Sequence, residues 1–338
     1  LHALARMPEG ITTFQAEDEI AAVTAAIGAS YAGAIGVSAS SGPGLALKTE
    51  GLGLAVAAEL PLIVIDVQRA GPSTGMPTKP EQSDLDMAIH GRHGEAPVAV
   101  LAPATCEDCF QIMIDAARIA TEAMSPVIVL SDAFLANAVS EWVAPAPDEL
   151  EDISAHEGDG ESARNPESLA PWWVPPGVPG GERRVGGIEK DAETGNISYD
   201  PDNHEQMVAL RAEKLVRAAA KADQPMLHDG PEEGELLVIG WGSTFGPIRQ
   251  AVRNLRSDGH QVAHLHIRHL WPLPAGLGDI LTRYSRLACA ELNTGQLTRI
   301  LRAETLAPVE AVTQINGRPF RVDTVEQALG AILDGERT

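Results

Sequence analysis

Residues 34–68 read AIGVSASSGPGLALKTEGLGLAVAAELPLIVIDVQ, and the order of patterns within them decides the fold class. AIGVSAS is short and rich in small and β-branched residues, LALKTEGLGLAVAAE has helical period, and PLIVIDVQ is an almost unbroken apolar run. Strand, helix and strand in that order predict a βαβ unit, and a strand apolar on both faces belongs to a parallel sheet covered on both sides. The alternation extends outward. ITTFQ predicts a strand and EIAAVTAAIGASYA a helix ahead of this unit. EQSDLDMAIHG, VAVLAP, CEDCFQIMIDAARIATEAM and PVIVLSD follow it, making about five strand and helix pairs by Asn137.

After Val143 the character changes. Residues 144–205 are crowded with Pro, Gly, Asp and Glu and include PWWVPPGVPGG and DAETGNISYDPDNH, which predicts a linker with no helix or strand of ordinary length. Trp172 and Trp173 are expected to pin it to the body of the protein. A second α/β series then runs ELLVIGW, TFGPIRQAVRNLRSDG, QVAHLHI, LGDILTRYS, RLACAEL, GQLTRILRAE, VEAVTQI and VEQALGAILDGE. The chain of 338 residues therefore reads as two α/β units, residues 1–145 and 206–338, joined by an extended linker, 146–205.

Composition limits the partners. Lys and Arg total 25 against 47 Asp and Glu, a formal net charge of −22, so the summed field repels phosphate backbones and anionic membranes. Nucleic acid and membrane are not expected partners. No apolar run is long enough to span a bilayer, and three cysteines do not make a disulfide framework; a soluble cytoplasmic protein is expected. The chain starts at Leu1, and LHALARMPEG has the pattern of a helix end, as in a piece of a longer polypeptide.

Three stretches carry candidate chemistry. Glu17, Asp18 and Glu19 stand at the start of a helix whose Ala21, Ala22, Ala25, Ala26, Ala29 and Ala32 allow close packing. Acids there commonly complement the helix dipole, but Glu19 shares a side with Ala22 and Val23, and a buried carboxyl there would tend to hold a proton. SSGPG (40–44) is either a tight turn or a place where backbone amides meet a ligand. Arg69 stands beyond the carboxyl end of PLIVIDVQ, where open parallel sheets collect ligands, and could clamp a carboxylate or form a surface ion pair. Other patterns are set aside. Cys106 and Cys109 have no second pair, His264, His266 and His269 have no third ligand of suitable type, and the GDG of residues 158–160 lies in a polar linker without a preceding strand. No metal site is expected in this chain.

Taken together, QAEDEIAAVTAAIGAS, SASSGPGLALKTEGLGLA, VIDVQRAGPSTGMPTKPEQSDL and GRHGEAPVAVLAP closely resemble the α subunit of the 2-oxoacid:ferredoxin oxidoreductases. GGIEKDAETGNISYDPDNH, LLVIGWGSTFGPIRQAV and HLHIRHLWPLP are similar to its 2-oxoglutarate branch, and the resemblance runs from about Leu1 to the end. It implies a doubly wound pyrimidine-binding domain of thiamine diphosphate enzymes followed by a smaller transketolase C-terminal-like α/β domain.

The resemblance also implies roles. Glu19 matches the glutamate that hydrogen-bonds the cofactor's aminopyrimidine ring nitrogen, which favours the imino tautomer and lets the exocyclic nitrogen take the thiazolium proton. Ser41, Gly42 and Gly44 match the loop beside the pyrimidine, and Arg69 the arginine that holds the carboxylate next to the ketone. Arg92 and His93, in GRHGE, are candidates for the distal carboxylate of 2-oxoglutarate. The implied reaction is oxidative decarboxylation of 2-oxoglutarate with coenzyme A to succinyl-CoA, carbon dioxide and reduced ferredoxin. A pyruvate or branched-chain 2-oxoacid substrate, or a scaffold that has lost the chemistry, stays open. The chain departs from the family pattern: the YPITPS-type motif and the γ-type domain would precede Leu1, and it carries no diphosphate and Mg²⁺ motif and no cluster cysteines. Those belong to a β subunit that shares the thiamine diphosphate, so the expected assembly is a heterotetramer of two α and two β chains, with this chain inert alone.

Overall fold

In the computed structural model all residues are described except 1–2, 8–9, 151, 154–163, 183 and 336–338; the GDG at 158–160 therefore lies outside the described residues. The first half runs α1 (Glu19–Tyr31), β1 (Gly36–Ser40), α2 (Gly42–Leu47), α3 (Thr49–Ala58), β2 (Leu62–Gln68), α4 (Leu85–His90), β3 (Ala99–Leu101), α5 (Asp108–Ala123), β4 (Pro126–Asp132) and α6 (Ala133–Asn137). The second runs α7 (Pro201–Ala220), β5 (Met226–Asp229), β6 (Gly234–Trp241), α8 (Phe245–Ser257), β7 (Val262–Ile267), β8 (His269–Trp271), α9 (Leu277–Leu281), β9 (Tyr284–Glu291), α10 (Gln296–Thr305), β10 (Val309–Thr313) and α11 (Val322–Leu333).

Two five-stranded sheets result, ordered β1-β2-β4-β3-β8 and β10-β9-β6-β7-β5. Within each, four strands are parallel and an edge strand is antiparallel, β8 against β3 and β5 against β7. The apolar runs that announced a doubly wound α/β fold are the buried parallel strands: β2, β4 and β6 supply Leu62, Val64, Ile128, Leu130, Leu237 and Ile239 to one continuous core that also takes in α1 and α3. Ile63, Val127 and Val129 point to the opposite face, where α5 and α7 cover them.

Four expectations change. ITTFQ is not a strand: residues 11–16 have no regular structure, and Ile11 and Phe14 are exposed, because β-branched content makes a strand only where a neighbour pairs with it. The helix α7 begins inside the stretch read as linker, since Asp200 caps it by accepting from the Asp202 amide at 2.9 Å and Pro201 takes the first turn, where no N–H is required. LALKTEGLGLAVAAE is two helices, α2 and α3, that meet at Lys48. The short strand β8 leaves the second series and joins the first sheet, so the sheet of the first half is closed by residues from the second.

Trp173 ties the linker to the body of the protein as expected. Trp173 donates its indole N–H to the Ser30 carbonyl at 2.9 Å. A stronger tie is Glu59, whose fully buried carboxylate meets Arg164 at 2.8 Å, Lys190 at 2.9 Å and Lys214 at 2.8 Å.

Candidate active site

The carboxyl ends of β1 and β2 lie side by side, with Ser40 opposite Asp66. Helix α1 starts above them because Asp18 caps it, accepting from the Ala21 amide at 2.8 Å. Of the three leading acids Glu17 and Asp18 are exposed, while Glu19, the first helical residue, is half-buried. Its side chain lies against the SSGPG turn. A Cβ on Gly44 would come within 2.8 Å of Glu19 Cγ and overlap Ser40 Oγ, so glycine is what allows the turn to pass beneath the carboxylate. Two residues earlier in the same turn, a Cβ on Gly42 would stand 2.6 Å from Asp84 Oδ2. Ser41 stands at the N-cap of α2 without using its hydroxyl as the cap.

Behind this surface is a group of charges that the sequence reading did not pick out. Lys48, at the junction of α2 and α3, is fully buried and its Nζ meets no acceptor. Asp66 is also fully buried, and neither of its oxygens meets a donor from elsewhere in the chain. Burial, then the facing Asp84, pushes the Asp66 carboxyl well above its usual range, and burial raises Asp84 as well. Two carboxyls in contact in an apolar setting keep a proton between them. Burial lowers the Lys48 ammonium, while Glu19, then Asp66 and Asp18, pull it back up. One signal was available: Asp66 interrupts the otherwise apolar PLIVIDVQ.

Arg69 follows the end of β2, half-buried, with a buried Nε that has no acceptor and with its charge acting on Asp66 and Asp84. The second half of the chain fixes the loop behind it. Gln82 is fully buried and spends every group: its amide nitrogens bond to the Leu292 carbonyl at 2.9 Å and the Trp241 carbonyl at 2.8 Å, and its oxygens accept from Leu292 at 2.9 Å and Asn293 at 2.8 Å. Ser243 likewise hydrogen-bonds Asp132 at the end of β4. The ends of β6 and β9 thus brace the ends of β2 and β4.

Glu19, Ser41, Gly42, Gly44 and Arg69 are brought together; Arg92 and His93 follow α4 and are placed differently. Arg92 donates to the carbonyls of Ala88 at 2.6 Å, Ile89 at 2.7 Å and Ala96 at 2.7 Å. Its guanidinium therefore closes the C-terminus of α4, with burial bringing its pKa down to about 10, while His93 beside it is exposed. Cys106 and Cys109 are free at the start of α5, and burial raises the Cys109 thiol to about 11. His264 and His266 are buried beside each other and against Phe245.

The arrangement suits a flat heterocycle with a ring nitrogen: a half-buried carboxylate, a glycine turn that admits close backbone approach, and buried nitrogens of Lys48 and Arg69 without acceptors. The chain's own sequence agrees. Residues 1–210 match the thiamine diphosphate-binding model of the pyruvate flavodoxin/ferredoxin oxidoreductases, and residues 234–325 match core domain II of pyruvate:ferredoxin oxidoreductase. The chain belongs to this family of oxidoreductases.

Within it, the chain is 47% identical over 341 residues to the 2-oxoglutarate oxidoreductase subunit KorA of Mycobacterium tuberculosis, which covers 99% of this chain and 52% of that relative. It is 34% identical to the 2-oxoglutarate synthase subunit KorA of Archaeoglobus fulgidus, over 95% of this chain and 85% of the relative. The solved 2-oxoglutarate:ferredoxin oxidoreductase from Magnetococcus marinus, with 2-oxoglutarate, coenzyme A and succinyl-CoA bound, superposes with a TM-score of 0.88 at 36% identity, covering 94% of this chain and 57% of that one. The chain thus spans about half the length of the M. tuberculosis relative. A split-gene transketolase, at 13% identity and a TM-score of 0.54, shares the fold. Among the described residues no helix is long and apolar enough to cross a membrane.

Proposed function

We propose that this chain is the α-type half of a 2-oxoglutarate:ferredoxin oxidoreductase, converting 2-oxoglutarate and coenzyme A to succinyl-CoA and carbon dioxide with reduction of ferredoxin. The observation that carries the reading is Glu19, half-buried at the start of α1 and resting on Gly44 at the mouth of the β1–β2 sheet. The names of the relatives favour 2-oxoglutarate over pyruvate or a branched-chain 2-oxoacid. In this reading residues 1–145 form the pyrimidine-binding unit, 146–205 the linker and 206–338 the transketolase C-terminal-like unit. The site is completed by a β chain that brings Mg²⁺, diphosphate ligands and an iron–sulfur cluster, in a cytoplasmic assembly of two α and two β chains.

Thiamine diphosphate, when bound, supplies the electron sink that lets a 2-oxoacid lose carbon dioxide. This chain's residues do the rest of what falls to it. Glu19 shares a proton with the aminopyrimidine ring nitrogen, Ser41, Gly42 and Gly44 offer backbone to the ring, and Arg69 binds the carboxylate beside the ketone through its fork of N–H donors. Of Arg92 and His93, His93 is presented outward and is assigned the distal carboxylate, with Arg92 holding its turn in shape.

Glu19→Gln in the complex with its β-type partner should lower turnover of 2-oxoglutarate by roughly a hundred- to ten-thousand-fold, the loss expected when acid–base assistance is removed. An unchanged rate would point to a scaffold, and faster turnover of pyruvate by the native complex would remove the substrate assignment.

A further inference from the structure

We infer that Lys48 is a positioning residue for the Glu19 proton: its buried ammonium, backed by the Asp66–Asp84 carboxyl pair, fixes the charge that Glu19 presents to a ring nitrogen. The inference rests on the reading of Glu19 given above and deepens it.

The geometry begins at the break between α2 and α3. The Lys48 amide donates to the carbonyls of Gly44 at 3.1 Å and Leu45 at 3.0 Å, so the lysine is tied to the turn on which Glu19 rests. The side chain runs inward, fully buried, and ends with no hydrogen-bond acceptor. An unpaired buried ammonium is costly unless fields of opposite sign hold it. Three elements supply them: α1 with Glu19 and its cap Asp18, β2 with Asp66, and, through Asp66, the start of α4 with Asp84.

Asp66 and Asp84 share one proton and carry about one negative charge as a pair. With ionised Glu19 they place opposite charge on both sides of two cations, Lys48 and Arg69, the second of which faces the same pair. Asp18 at the exposed helix cap and Glu81, which accepts from the Gly71 amide at 3.1 Å, also face the cluster and add negative charge to it.

The consequence is directional. A cation near a carboxylate favours the ionised form, so Lys48 biases the shared proton away from Glu19 and toward the ring nitrogen. Without it, that bias is lost and the shared proton rests less firmly on the ring nitrogen.

The test uses the complete complex loaded with thiamine diphosphate. Its readout is the pH midpoint of the near-ultraviolet circular dichroism of the bound aminopyrimidine, taken as loaded minus cofactor-free signal so that contributions from the partner chain cancel. Lys48→Met should move the midpoint by about one to two units, Lys48→Arg should leave it within about half a unit of native, and Lys48→Met in a Glu19→Gln background should add no further shift. If Lys48→Met does not assemble, Lys48→Gln removes the same charge and carries the same expectation. A native midpoint in the Met or Gln variant, or a shift that persists in the Glu19→Gln background, overturns the inference. A Glu19→Gln complex whose aminopyrimidine titrates like native overturns the reading of Glu19 itself, so the two failures are separable.

Discussion

Glu59 offers a sharp test of how the linker is held. It follows α3 in a left-handed conformation (φ 56°), and its carboxylate is fully buried. Arg164 donates to both oxygens at 2.8 Å, Lys214 reaches one at 2.8 Å and Lys190 the other at 2.9 Å. Arg164 and Lys190 come from the linker and Lys214 from α7, so one carboxylate joins three chain segments to the end of α3. Glu59→Gln keeps the shape but removes the charge, leaving three cations together around a neutral amide. Removing one partner of a buried ion pair destabilises by about 3 to 5 kcal/mol, because the remaining charge stays desolvated. With a urea slope of about 3 kcal/mol/M, the midpoint should fall by roughly 1 to 1.7 M. The linker should also be cut sooner in limited proteolysis, and the dependence on pH should change. The three cations hold the Glu59 carboxyl well below its usual range against the opposing effect of burial. Its contribution is therefore present above the unfolded carboxyl value and is lost as pH falls through the folded one. Lys214 acts on the alkaline side. Burial lowers its pKa to about 8, so between about 8 and 10.5 the unfolded chain binds the extra proton and stability rises with pH. A Gln variant with native urea midpoint and native acid limb would show that the cluster does not hold the linker.

Two further substitutions probe the site. Gly44→Ala forces a methyl group against Glu19 Cγ and Ser40 Oγ; overpacking of this kind costs about 1 to 3 kcal/mol, and turnover of the assembled complex should fall at least tenfold as Glu19 is displaced, which steady-state kinetics beside a thermal melt would measure. Arg92→Ala removes three charged donors from the end of α4 and should lower stability by about 2 to 3 kcal/mol, with any rise in KM for 2-oxoglutarate accompanied by that loss in the thermal melt; a large rise in KM with an unchanged melt would place the guanidinium on the substrate instead.

Much of the fold was legible because burial on both faces writes itself into a strand as continuous apolar sequence. PLIVIDVQ, PVIVLSD and ELLVIGW could be read without knowing what packs on them. The elements that were misread or missed depend on partners far away in the chain. Strand β8 is three residues long and exists because the chain beside it is anchored: Arg268 donates to Asp108 at 2.6 and 2.9 Å, and the Ala102 amide reaches the Arg268 carbonyl at 2.8 Å. ITTFQ has suitable residues and no such neighbour.

The same distinction divides the site. Glu19, the glycines of SSGPG and Arg69 could be singled out because each sits at a local signal, a helix start, a turn or a strand end, while their proposed roles come from the family resemblance. Lys48 could not be, because a lysine in LALKTEG read as one helix belongs on its wet face. The helix breaks there instead. With α2 ending and α3 starting at Lys48, the side chain is turned into the layer between α1 and β2, where Asp66 also points. Neither charge would be tolerated in that layer alone, since the Lys48 ammonium lacks an acceptor and Asp66 meets only another carboxyl; together, with Asp84 and Arg69, charges of opposite sign offset one another. Their burial is thus a property of the group, which is why no single residue announced it, and why changing the charge of one member should be felt at Glu19 across the turn.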